Sequence, residues 1–304
     1  MALRQFDIVI PGNYFCDIIF SGLPKFPELG TEIYTEAVTV VPGGVVNTIV
    51  ALHRLNVNVG WIGTLGNDFF SRFVRDQVEQ EQIDTSLLIQ RDSSLKRVTV
   101  ALSEPRDRAF ISYVDPAPDT VGMLLEAWSE VNCGHLHFTR LMHDERLLPL
   151  LRDCRQRGIF VSMDCQHRTE TIDLPLVQAT LSLVDAFMPN ASEALRITGA
   201  TDVDAAARTL RRFVPLVVIK DGAGGAQAWH DGTHYHDPAL PDMQVVDTTG
   251  AGDVFNAGFL AAHIAGSDLP ACLRWGNICG GLSTQGYGGC TSAPTLAELK
   301  ARLA

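Results

Sequence analysis

Asp247-Thr248-Thr249-Gly250-Ala251-Gly252-Asp253-Val254-Phe255-Asn256-Ala257-Gly258-Phe259-Leu260 sets a glycine-rich turn between a β-branched approach and a long apolar helix. A helix that opens on Gly-Ala-Gly carries backbone N–H groups without intrahelical partners, and no bulky Cβ keeps a ligand from them. Those donors and the helix dipole form an anion site. Asp253 stands at its edge. A carboxylate beside an anion site costs energy, unless it takes a proton from a hydroxyl that attacks the anion. The pattern therefore reads as a phosphoryl-transfer site, with Asp253 as base and the amides of Gly250, Ala251 and Gly252 as the cradle for developing charge. The plainer reading of Gly-x-Gly-Asp is a helix start with the Asp as a cap.

Working outward, the chain of 304 residues is 46% hydrophobic, enough to bury a full α/β core. It has 24 Lys+Arg against 35 Asp+Glu, a net charge of −11, and no basic run. Nucleic acid and anionic membrane are not expected partners. An acidic protein that handles phosphates must gather positive potential locally, through amides or a metal ion. The seven cysteines are scattered and never form Cys-x-x-Cys, which reads as reduced thiols in a cytoplasmic enzyme. No stretch has the length and apolarity of a signal region or a bilayer span.

Short apolar strands are expected at Phe6–Pro11, Val57–Ile62, Leu87–Ile89, Leu136–Phe138, Ile159–Met163, Ala186–Met188 and Leu216–Ile219, alternating with helical segments such as Val45–Leu55 and Phe69–Gln80. Such alternation predicts a mostly parallel sheet covered by helices. Thr31–Val41, Lys96–Leu102 and Ala109–Val114 instead alternate with period two, as strands of a small sheet with one exposed face do. They predict a lid built from two pieces of chain, about 14–41 and 95–115, inserted in one domain spanning 1–304. An exposed apolar lid face predicts a homodimer through the lid.

Asp-Thr-Thr-Gly-Ala-Gly-Asp-x-Phe-x-Ala-Gly-Phe closely resembles the C-terminal signature of the ribokinase-like (PfkB) carbohydrate kinases. Gly43-Gly44-Val45-Val46-Asn47, ending in Gly63-Thr64-Leu65-Gly66-Asn67-Asp68, resembles their N-terminal signature. The resemblance implies a three-layer α/β/α fold with a mostly parallel central sheet and a small β-sheet lid. It also implies ATP as donor with Mg²⁺, and a sugar or nucleoside acceptor. On the acceptor side it points to Asp17, in Gly12-Asn13-Tyr14-Phe15-Cys16-Asp17, as a carboxylate gripping two hydroxyls, with Asn13, Gly43, Gly44 and Asn47 beside it. Ser71 stands where the family commonly has Gly, a position that looks structural.

Further matches follow in chain order. Arg168, in Asp164-Cys165-Gln166-His167-Arg168, resembles an Asp-x-Asn-x-Arg stretch of branches acting on sugars and acidic sugars, with Gln166 departing from Asn. Asn190 and Glu193 match an Asn-x-x-Glu that supports Mg²⁺ through water, although the same spacing makes a capping box. Lys220, Gly222 and Gly225 match a turn beside the nucleotide; Lys220 equally reads as a solvated strand-end lysine. Asn277 and the Gly286–Cys290 loop resemble the adenine-side wall. Carbonyls of that loop, around Gly289, and of Asp247–Thr249 hold a monovalent cation such as K⁺ in several members. A non-catalytic sugar sensor would need the base or anion site damaged, whereas a nucleoside kinase would differ only in its acceptor. Two histidine groups invite a metal reading. Cys133, His135 and His137 share a strand face, but with polar cleft residues as the alternative. His230, His234 and His236 flank a hairpin turn and read as solvated.

Overall fold

The computed structural model describes residues 4–103, 108–116, 119–166 and 169–303. Its strands are β1 (Arg4–Pro11), β2 (Tyr14–Ser21), β3 (Ala37–Gly44), β4 (Val59–Leu65), β5 (Leu88–Gln90), β6 (Arg97–Ser103), β7 (Arg108–Val114), β8 (Val131–Phe138), β9 (Phe160–Met163), β10 (Ala186–Phe187), β11 (Leu216–Lys220), β12 (Ala226–His230) and β13 (Thr233–Asp237). Its helices are α1 (Val45–Arg54), α2 (Phe69–Gln80), α3 (Thr120–Ala127), α4 (Leu147–Arg157), α5 (Pro175–Leu181), α6 (Ala191–Thr198), α7 (Val203–Leu210), α8 (Ala251–Ile264), α9 (Leu269–Ser283) and α10 (Leu296–Leu303).

Nine strands form one sheet in the order β13-β12-β11-β10-β9-β8-β1-β4-β5. It is parallel from β5 to β11 and antiparallel only in the β11-β12-β13 hairpins. Parallel strands are buried on both faces, which is why Ile8, Val9 and Ile10 are all apolar and fully buried. One face packs against α1, α2, α8, α9 and α10 through Val46, Val74, Phe259, Ile278 and Leu299. The other packs against α3 to α7 through Leu124, Leu151, Val177, Ile197 and Leu210. These are the three expected layers. The carboxyl ends of β1, β8, β9, β10 and β11 open along one edge, where ligands of such sheets bind.

β3-β2-β6-β7 form the separate small sheet, antiparallel in its outer pairs and parallel between β2 and β6. The expected strand Thr31–Val41 starts late. Pairing begins at Ala37, opposite Ser21 where β2 ends, so Thr31, Glu32 and Tyr34 have no strand to pair with and are exposed or nearly so. In return β3 continues through Gly43-Gly44 opposite Phe15 and Tyr14.

Ser71 is fully buried at the start of α2. Its Oγ donates to Asp68 at 2.9 Å, accepts from the Gly66 amide at 2.9 Å and lies 2.6 Å from the Tyr14 hydroxyl. The departure from glycine thus ties the small sheet to the body.

Candidate active site

α8 starts where Gly250 adopts a left-handed φ of 67°. A Cβ at Gly250 would collide with the backbone of Gly289, so the turn is a close crossing of two loops as well as a helix start. Asp247 ties them together. Its Oδ1 accepts from the Thr249 amide at 2.9 Å and hydroxyl at 2.7 Å, and its Oδ2 accepts from the Gly288 amide at 3.0 Å. The Ala251 amide is drawn into a long 3.3 Å bond to the Thr248 carbonyl. Among the described residues, the amides of Gly250 and Gly252 have no protein partner. The cradle expected from three amides is therefore cleanest at those two.

Asp253 sits in the first turn of α8, partly buried. The Asn47 amide nitrogen, in the first turn of α1, donates to its Oδ2 at 3.0 Å across 206 residues of chain. Burial pushes the Asp253 carboxyl up to about 6, with the Asn47 hydrogen bond opposing and the Asp164 charge adding to the rise. Asp17 lies on β2, 9% exposed, with its carboxylate packed over Gly43, where any Cβ would collide with it. Burial, then the charges of Asp253 and Asp247, push Asp17 up to about 7.

Lys220 ends β11 and is buried, so the solvated reading of this lysine is wrong. Its Nζ donates to Asp164 Oδ2 at 2.8 Å and to Asn256 Oδ1 at 3.2 Å, while Asn256 Nδ2 donates to the same Asp164 oxygen at 2.6 Å. A Cβ on Gly252 would be 3.5 Å from this ammonium. The sheet holds the lysine in place because β9 and β11 flank β10, setting Asp164 and Lys220 at strand ends on either side of it. An ammonium thus stands beside the amides at the start of α8.

Two cavities meet here. One, of about 900 Å³, is lined by Asn190, Glu193, Lys220, Gly222, Gly225, Gly250, Ala251, Gly252, Asp253 and Asn277. The other, of about 590 Å³, is lined by Asn13, Gly44, Arg97, Thr120, Arg140 and His143 among others. Gln166 lines both. Asn277 is anchored by donating to the Asp237 carbonyl at 2.8 Å and carboxylate at 2.7 Å. Asp17, Gly43 and Asn47 line neither cavity, and Arg168 lies outside the described residues.

Asn190 and Glu193 form a full capping box on α6: Asn190 Oδ1 accepts from the Glu193 amide, and Glu193 Oε2 from the Asn190 amide, each at 2.9 Å. Asn190 Oδ1 also accepts from Ser192. With that oxygen engaged, the pair suits a cation held through water. Among the described residues no cluster could ligate a metal directly. His135 and His137 instead both bond Ser162 Oγ, at 2.9 and 2.7 Å, so no zinc site forms with Cys133. His236 bonds the Gly224 carbonyl at 2.9 Å, bracing the turn beside the larger cavity.

Two residues escaped the sequence motifs, and the clamping role of a third, Asp164, is not read from the Asp-x-Asn-x-Arg stretch that it opens. Asn256 signals itself only as a polar residue one turn beyond Asp253 on an apolar helix. Arg97 signals itself as a charge on a strand that is otherwise apolar or hydroxylic.

Residues 21–296 match the model of the pfkB family carbohydrate kinases. A fructokinase of Klebsiella pneumoniae is 31% identical over 288 residues, 86% of this chain and 92% of that protein. The structure of Arabidopsis thaliana ribokinase complexed with ribose and ATP superposes with a TM-score of 0.79 at 21% identity, covering 100% of this chain and 99% of that one. A Vibrio cholerae fructokinase double mutant, in a fructose-, ADP- and potassium-bound form, gives 0.79 at 24% identity over 98% and 99% of the two chains.

Proposed function

The chain belongs to the pfkB family of carbohydrate kinases, ATP-dependent phosphotransferases that use sugars or nucleosides, and we propose that it phosphorylates a sugar-type hydroxyl with Asp253 as general base. The acceptor enters the smaller cavity and ATP the larger. Asp253 takes the proton of the acceptor hydroxyl, whose oxygen bonds the γ-phosphorus as the bond to the β-phosphate oxygen breaks, releasing ADP. Developing charge meets the amides of Gly250 and Gly252, the dipole of α8 and the Lys220 ammonium. Asn13 and Gly44, on the smaller cavity's lining, grip the acceptor, and it reaches beyond that lining to Asp17, Gly43 and Asn47. Lys220, Gly222, Gly225 and Asn277 hold the nucleotide.

Asn190 and Glu193 suit Mg²⁺ held through water, and bound Mg²⁺ would neutralise phosphate charge. The crossing of the Asp247–Thr249 and Gly289 loops gathers hard oxygen donors suited to K⁺. The observation that carries the reading is the Asn47–Asp253 hydrogen bond, which joins the two family signatures at a carboxyl tuned close to neutral pH.

The whole chain acts as one kinase domain, in the cytoplasm, where its seven free and buried thiols stay reduced. The small sheet acts as its lid. The outer face of that sheet exposes Val38, Val40, Ile111 and Tyr113, and a second copy covering it gives a homodimer. Purified protein with ATP, Mg²⁺ and a panel of sugars, sugar acids and nucleosides tests the function. ADP release coupled to one acceptor supports it, and release with none on the panel overturns it. Light scattering tests the dimer, for which Ile111→Lys should give a monomer.

A further inference from the structure

Arg97 opens β6, lines the smaller cavity and is only 3% exposed. Its Nε and Nη2 are buried and have no hydrogen-bond partner among the described residues. The nearest acidic candidate, Asp115, is already engaged: it accepts from the Lys96 amide at 2.7 Å, Tyr113 Oη at 2.9 Å and Ser94 Oγ at 3.0 Å. The carboxylates of the lining, Asp119 and Asp144, are both bound by the Arg146 guanidinium. Among the described residues of the lining, the Arg97 guanidinium is therefore the charged group left without a hydrogen-bond partner, and burial lowers its pKa against the opposing pull of Tyr14 and Asp115.

A buried guanidinium without an anion is costly, and its planar fork matches a carboxylate or phosphate. We propose that the acceptor of this kinase carries an anionic group, carboxylate or phosphate, which Arg97 binds on the lining of the smaller cavity. This rests on the kinase reading and narrows it, because a neutral sugar would leave Arg97 unpaired. Arg97 is then the residue that selects the acceptor.

The test compares a neutral hexose with its 6-phosphate and with the corresponding sugar acid, on native protein, Arg97→Met and Arg97→Lys. Native kcat/KM should favour one anionic acceptor by about 10²-fold over the neutral sugar, the scale of a charge-assisted hydrogen-bonded pair. Arg97→Met should bring that ratio close to one, and Arg97→Lys should keep part of it. A response confined to the phosphate arm assigns a sugar phosphate, and one confined to the acid arm a sugar acid. Calorimetric titration of the three acceptors without ATP gives a second readout that needs no turnover. Arg97-dependent anion binding without phosphorylation would sustain this inference while overturning the kinase reading. A native preference for the neutral sugar, or a preference unchanged in Arg97→Met, overturns it. Should Arg97→Met fail to fold, Arg97→Lys and the native titrations still decide.

Discussion

The two cavities that meet at Gln166 are built on opposite plans. The larger is made of main chain and locked polar groups: the amides at the start of α8, the capping box of α6, and Lys220 clamped between Asp164 and Asn256. The smaller is made of side chains whose polar atoms are left over. Asn13 Oδ1 and the Nε and Nη2 of Arg97 are buried without partners on its lining, and Asn47 Oδ1, beside Asp253, is in the same state. Buried polar groups are rarely left so, and where they are, a ligand commonly completes them. A triphosphate presents the same oxygens to every member of a family, so a rigid backbone cradle serves it. An acceptor differs from one enzyme to the next, and its recognition falls to side chains that wait for it.

The sharpest way to break this contrast is at the proposed base, which acts on the acceptor from the lining of the larger cavity. Asp253→Asn preserves shape and removes the proton acceptor, so turnover should fall by ~10²–10⁴-fold while nucleotide affinity persists. Near-native turnover on the true acceptor would exclude Asp253 as the base. On the acceptor side, Asp17→Ala should cost ~2–4 kcal/mol in acceptor affinity and leave ATP affinity near normal. Equal losses in both, measured by titration, would make Asp17 a structural residue and erase the division of labour.

On the nucleotide side, Lys220→Met strands Asp164 without its cation and removes a charge from beside the α8 amides. It should lower kcat about 10–10²-fold with little change in acceptor KM. A loss seen mainly in acceptor KM would show that the two cavities are not separate in function.

The smallest effects concern pH. An Asp253 carboxyl near 6 acts as a base only when deprotonated, so kcat/KM should fall as pH drops through about 6 and level off above it. Asp17 is raised in the folded protein to about 7 from an ordinary 3.8, so folding binds a proton. Stability linked to that proton is present at low pH and lost as pH rises through about 7. Asp17→Asn should therefore stabilise the empty protein by about 1–3 kcal/mol at pH 8, with the gain fading toward pH 4. Urea titrations at the two pH values measure it; a gain equal at both would place the Asp17 cost elsewhere than in its ionisation.

What the amino-acid sequence determined by itself was local. The glycines that open α8, the exact span of α2, and the turns after β1 and β11 are legible because helix starts, period and φ-permissive residues are properties of a few adjacent residues. The alternation of strand and helix carried the layered sheet for the same reason. Tertiary structure alone decided which of several readings each polar residue took. Lys220 is clamped and not solvated because β10 sets β9 and β11 on either side of itself; Asn190 and Glu193 can both cap α6 and face the larger cavity because β10 ends there. Arg97 looks like any surface charge on an alternating strand until the small sheet folds over the cavity and removes its water. Partners and desolvation depend on neighbours tens to hundreds of residues away, and no local pattern encodes them.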